Sequence, residues 1–159
     1  ETPMGLLDFV KGAGAKLSGK EAKRERAEAE AFEELRKGNT LMQHVFAMGL
    51  KIEEMKITYD DGIATIKGTC PSQEEKEKIL LTVGNVAGVA QVDDWIVVEK
   101  PEPEATFYTV VSGDSLSKIA KAQYGDAMKY PVIFEANKPM LTDPDKIYPG
   151  QVLRIPPLG

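Results

Sequence analysis

The stretch EKPEPEAT, Glu99 to Thr106, constrains the fold more than any other part of the chain. Its two prolines and three glutamates favour an extended, solvated linker. The linker divides a chain of 159 residues into about two-thirds and one-third, so two small domains are expected rather than one large one. The boundaries that follow are an N-terminal helical segment over 4–20, a first domain with a charged helix before it over 21–99, the linker over 100–106, and a second domain over 107–157.

Periodicity supplies the elements. Leu6, Val10, Ala13 and Leu17 step by four, three and four and predict one helical face. Gly12 and Gly14 weaken that helix in its second half and leave carbonyls without partners. The run SGKEAKRERAEAEAFEELRKGN alternates in charge and has high helix propensity, which reads as a solvated helix. Asn39 to Met48 is expected to be a further helix, with Leu41, Val45 and Met48 on one face. From Met55 the pattern alternates. MKITYDD and IATIKGT read as strands joined at Asp61-Gly62, a hairpin turn pair. Ser72 and Glu75 form a capping-box signal. Ile79, Leu80 and Val83 give the next helix its apolar face, and Gly84 is expected just past its end. VAQVDDWIVVE reads as a third strand, completing αββαβ. Beyond the linker, FYTVV is a strand. GDSLSKIAKAQYG is a helix capped by Asp114 or Ser115 and closed by Gly125. Tyr130 to Asn137 is a helix that tolerates Pro131 in its first turn. Tyr148-Pro149-Gly150 suits a type II turn, and QVLRIP is a strand. The second domain is therefore βααβ, and the fold class is α+β.

Bulk properties exclude several functions. The net charge of −5 and pI of about 5.0 argue against nucleic-acid binding, which needs a basic surface. The single cysteine, Cys70, permits no internal disulfide and suits a reducing compartment. No apolar run reaches the ~18 residues of a membrane span, and no signal peptide is visible. We expect a cytoplasmic protein whose natural start is Met4, with Glu1-Thr2-Pro3 as a foreign extension.

The pattern YTVVSGDSLSKIAKAQYG…IFEANKPM…IYPGQVLRIP resembles a LysM domain over Phe107 to Pro156. DGIATIKGTCPSQEEKEKILLTVGNVAGVAQVDDWIVVE resembles a BON domain, chiefly in Gly68 and the run GVAQVDD from Gly88. The two together, behind MGLLDFVKGAG, resemble the small cytoplasmic bacterial potassium-binding proteins of that architecture. The stretch Glu21 to Lys56 departs from the family pattern in its length. The resemblance implies selective K⁺ binding that orders the chain. It also implies no catalysis, a monomer, and a role in sensing or buffering potassium under ionic or osmotic stress.

The residues suit that ion. K⁺ is large and weakly hydrated, and carbonyl oxygens can replace its water shell, whereas Ca²⁺ and Mg²⁺ call for carboxylates. The loop VGNVAGVA, Val83 to Ala90, has no acid–base side chain. Its two glycines permit bends that aim carbonyls at one point, and it follows a helix C-terminus, where the dipole favours a cation. Set against this, the same loop also suits a plain helix stop and tight turn. The expected cage takes main-chain oxygens from Val10 and Ala13 in the N-terminal segment and from Gly84, Val86 and Val89 in the loop. These positions are carried over from the family pattern.

Other candidates carry less chemistry. Asp60-Asp61 and Asp93-Asp94 are acidic pairs of the kind that bind divalent metals, but Asp61-Gly62 is better explained as a turn, and Asp143 and Asp145 lie in a Pro-rich loop that also reads as a turn. His44 has no second ligand near it, and zinc needs three or four. Cys70 has no histidine close in sequence. LysM domains commonly bind N-acetylglucosamine glycans such as peptidoglycan. That gives the alternative site: Gly113, Asp114, Ser115 and Leu116 facing Asn137, Ile147, Tyr148 and Pro149. A third reading, a lipid-surface role aided by GLLDFVKGAGAKL, is weakened by the acidic pI. Trp95, just beyond the loop, is a candidate optical reporter.

Overall fold

The computed structural model of the protein describes residues 19–158. The chain divides between Phe32 and Glu33. The stretch 19–32 is the first half of a helix, and both hydrophobic cores lie after residue 33. The expected helical face of Leu6 to Leu17, and with it Val10 and Ala13, lies outside the described residues.

Helix α1, Gly19–Ala47, is continuous where two helices were expected. Gly38 interrupts the propensity but not the helix, because packing holds it. It is buried, and a Cβ built there would fall 2.7 Å from the Ile57 carbonyl oxygen. Only a glycine lets α1 approach the sheet so closely. Thr40, inside the helix, turns its hydroxyl back to donate to the Arg36 carbonyl at 3.0 Å.

Strands β1, Glu53–Asp60, and β2, Ile63–Ser72, pair antiparallel about the Asp61-Gly62 turn. Both turn residues have positive φ, 46° and 86°, which is the primed hairpin geometry. Helix α2, Gln73–Gly84, then carries the chain over to β3, Gln91–Lys100, which pairs parallel with β2. The sheet order is β1-β2-β3. The first core joins Leu41 and Val45 of α1 to Ile57, Ala64, Ile66, Cys70, Ile79, Val83 and Ile96.

The capping box at α2 is half formed. Ser72 accepts the Glu75 N–H at 3.2 Å, but Glu75 accepts the Lys51 N–H at 3.1 Å instead of reaching back. Ser72 still belongs to the β2–β3 ladder, opposite Lys100, so its backbone is already engaged.

The second core is built on β4, Thr106–Thr109, α3, Leu116–Tyr124, α4, Tyr130–Ala136, and β5, Val152–Ile155. The strands β4 and β5 pair antiparallel. Ser115 rather than Asp114 caps α3, accepting the Lys118 N–H at 3.2 Å. Gly125 closes it in the left-handed region. Asp114 accepts the Tyr108 hydroxyl at 2.6 Å and the Val111 N–H at 2.9 Å. Those two bonds, the Tyr108 bond first, hold its carboxyl below the usual range. The turn at Tyr148 closes as expected, with the Gln151 N–H donating to the Tyr148 carbonyl at 3.1 Å and Gly150 at φ 92°.

The linker is less solvated than its composition suggests. Ala105 is buried and donates its N–H to Glu77 of α2 at 3.0 Å.

Candidate cation site

The loop after α2 is shaped by three constraints. Its entry is set by Asn85, whose N–H donates to the Leu81 carbonyl at 3.0 Å. Gly84 is the last helical residue and not the left-handed stop expected of it. The left-handed residue is Gly88, at φ 93°. The loop's exit is tied to the hairpin, because the Ala90 and Gln91 N–H groups both donate to the Gly62 carbonyl, at 2.8 and 3.2 Å. The side chains of Val86 and Val89 pack against the first core, which leaves their main chain as the part available for binding.

The carbonyls fall into two sets. Val83 accepts from the Val86 N–H and Val86 from the Val89 N–H, both at 3.1 Å. Ala87 accepts from the Lys37 ammonium at 3.1 Å, and Gly88 from the Tyr59 hydroxyl at 2.7 Å. The carbonyls of Gly84 and Val89 accept no hydrogen bond among the described residues. Each carbonyl has two lone pairs, so Val86 also retains capacity. Of the expected cage, then, Gly84 and Val89 accept nothing among the described residues, Val86 accepts one bond, and Val10 and Ala13 lie outside the described residues. Among the described residues no group of three or more His, Cys, Asp or Glu could hold a metal ion.

Three side chains with a place in this site carried no sequence signal. Lys37 and Tyr59 lie in a charged helix and a plain alternating strand, and only the fold brings them to the loop. Asn85 sits in the loop itself, yet its partner is remote. Its amide donates to the Val152 carbonyl at 2.9 Å and accepts the Val152 N–H at 2.8 Å, pairing the loop to β5 like a short strand. Earlier on α2, Glu77 takes the Arg154 Nε and Nη2 on one oxygen at 2.9 and 2.8 Å. The other Glu77 oxygen takes Gln73 and Ala105.

The glycan candidates are divided. Leu116 and Asn137 are buried, and the Asn137 amide is committed to the backbones of Ile133 and Arg154. Ser115 caps α3, Asp114 holds Tyr108, Ile147 packs on the second core, and the Gly113 carbonyl accepts from Lys118. Tyr148 and Pro149 are exposed. Cys70 is fully buried, and burial, with Glu75 and Asp94 nearby, pushes its thiol up to about 11. Trp95 is 63% exposed on β3.

These two α+β modules define a class of protein, a BON domain followed by a LysM domain. The family model for the BON domain matches residues 41–100 and that for the LysM domain residues 108–156. The chain is also 48% identical over 158 residues, 96% of its own length and 99% of the relative's, to the potassium binding protein Kbp of Escherichia coli O6:H1. The chain belongs to the family of that protein. An uncharacterized protein of Deinococcus radiodurans is 40% identical over 102 residues, covering 57% of this chain and 40% of that protein. An esterase of Mycobacterium tuberculosis is 51% identical over 53 residues, only 11% of the esterase's length. Among the described residues, no helix is long and apolar enough to cross a membrane.

Proposed function

We propose that this protein binds K⁺ through main-chain oxygens of the loop from Gly84 to Val89, completed by Val10 and Ala13, and acts as a non-enzymatic, cytoplasmic potassium sensor or buffer. The observation that carries the reading is the pair of carbonyls, Gly84 and Val89, that accept no hydrogen bond among the described residues, on either side of a left-handed glycine in a loop without carboxylates. A relative that aligns over nearly the whole chain and is named for potassium binding supports it. Neutral oxygens suit a monovalent ion with a loosely held water shell, whereas a divalent ion would demand charged ligands at short range. Binding at a loop paired to β5 through Asn85 would order both modules together.

The test is calorimetric titration with KCl, and with NaCl at equal ionic strength, of the wild type and of Gly88→Val. Trp95 is too exposed to serve as the main reporter. K⁺-selective heat in the wild type and its loss in the variant are expected, because valine at φ 93° is strained. A variant that binds K⁺ as the wild type does would remove the loop from the site. The glycan reading is weaker, since the Leu116 and Asn137 side chains are held in the second core. Co-sedimentation with peptidoglycan tests it, and no binding is expected.

A further inference from the structure

We propose that Lys37 sets the affinity of the cation site, its ε-ammonium acting as a tethered cation that competes with the bound ion for the loop's carbonyls. The proposal rests on the potassium reading of the loop and adds to it a residue of α1 that the cage does not include.

The geometry is specific. The Lys37 ammonium donates to the Ala87 carbonyl at 3.1 Å. It lies 5.8 Å from the centre of the Tyr59 ring, at the outer limit of a cation–π contact. Tyr59 in turn donates its hydroxyl to the next carbonyl, Gly88, at 2.7 Å. A Cβ placed on Gly88 would stand 3.4 Å from the Lys37 nitrogen, so the ammonium rests directly against the loop's left-handed residue.

The frame behind this contact is stiff. Gly38, the next residue, packs against the Ile57 backbone. One turn earlier, Glu34 accepts the Asp61 N–H at 3.0 Å. The hairpin holds the loop's exit through Gly62. Lys37 is therefore carried to the loop by a helix held to β1 at Gly38 and to the hairpin turn at Glu34. It forms no ion pair with a carboxylate among the described residues. Its charge faces peptide oxygen and an aromatic ring.

An alkylammonium group and K⁺ share a charge, a similar size and a liking for carbonyl oxygen. A loop whose dipoles already hold one has a weaker field for the other, and the two charges repel. For an ion held on the order of 6 Å from the ammonium, with an effective dielectric between about 20 and 80, removing the unit charge tightens binding roughly 3- to 100-fold. A competing role differs from a bracing one, in which Lys37 merely holds Ala87 in place.

Three proteins separate these roles: the wild type, Lys37→Met, which loses both charge and donor, and Lys37→Gln, which keeps a neutral donor. The Kd for K⁺ is measured by calorimetry in each, at low and at raised ionic strength set with a bulky organic chloride. Both variants are expected to bind several-fold tighter than the wild type, with the gain shrinking as salt screens the charge. Unchanged affinity in both variants overturns the proposal. So does a bracing pattern, with Lys37→Gln like the wild type and Lys37→Met weaker. A wild type that gives no K⁺ signal removes the underlying potassium reading instead, a different result from either.

Discussion

A methyl group on Gly38 would stand 2.7 Å from the Ile57 carbonyl oxygen. Alanine there would gain about 1 kcal/mol of helix propensity. The obstacle is backbone and cannot rotate away, so α1 must lift from β1, at a cost of about 1–3 kcal/mol and in part the contacts of Leu41 and Val45. We predict that Gly38→Ala lowers the urea midpoint; a raised midpoint would show that the helix moves freely. Cys70 is a second residue-scale case. With its thiol pushed up to about 11, almost none is thiolate at pH 8, and the side chain is buried. Iodoacetamide at pH 8 is expected to leave the native protein unmodified and to alkylate it in denaturant. The folded state holds this proton more tightly than the unfolded chain, whose thiol has the ordinary value of 9.0. Cys70 therefore favours folding less and less as pH rises through the window from 9 to about 11.

At the scale of elements, the strands and most helices were readable from pattern alone. Alternation and the Asp61-Gly62 pair located the hairpin, since both express local backbone preference. The unbroken α1 was not readable, because Gly38 looks like a breaker until the sheet beside it is known. The role of Asn85 was equally hidden. Its amide acts as a one-residue strand against Val152, a partner 67 positions away. Asn85→Ala strips Val152 of both bonds, so a loss of about 1–3 kcal/mol is expected. Faster amide exchange at Val152 should accompany it, read by hydrogen-exchange NMR. Exchange at wild-type rates would mean that water substitutes fully for the amide.

Across the whole molecule, the buried pair of Glu77 and Arg154 connects α2, the linker and β5. Of the four bonds to Glu77, only that from Gln73, four residues earlier on α2, follows a local pattern; those from Ala105 and Arg154 join groups far apart in the chain. Replacing Glu77 by Gln leaves a buried guanidinium without its main counter-charge, with Glu74 only at 4.0 Å. A loss of about 3–5 kcal/mol is predicted from thermal or urea unfolding. Glu77→Gln combined with Arg154→Met should recover part of it, because the double change removes the stranded charge. If the single change proves neutral, the junction is wetter than its burial implies.

The sequence by itself determined the division into two α+β modules, the order of their elements and their kinship with BON and LysM domains. Those follow from short-range chemistry: turn residues, caps, periods of two and of 3.6, and motif spacing. Tertiary structure alone decided which oxygens of the loop are engaged, that Lys37 and Tyr59 lie over it, and that Asn85 ties the loop, and Glu77 the helix before it, to the second module. Hydrogen bonds and charge contacts of that kind depend on distances between residues far apart in the chain, and those distances exist only once both cores have closed.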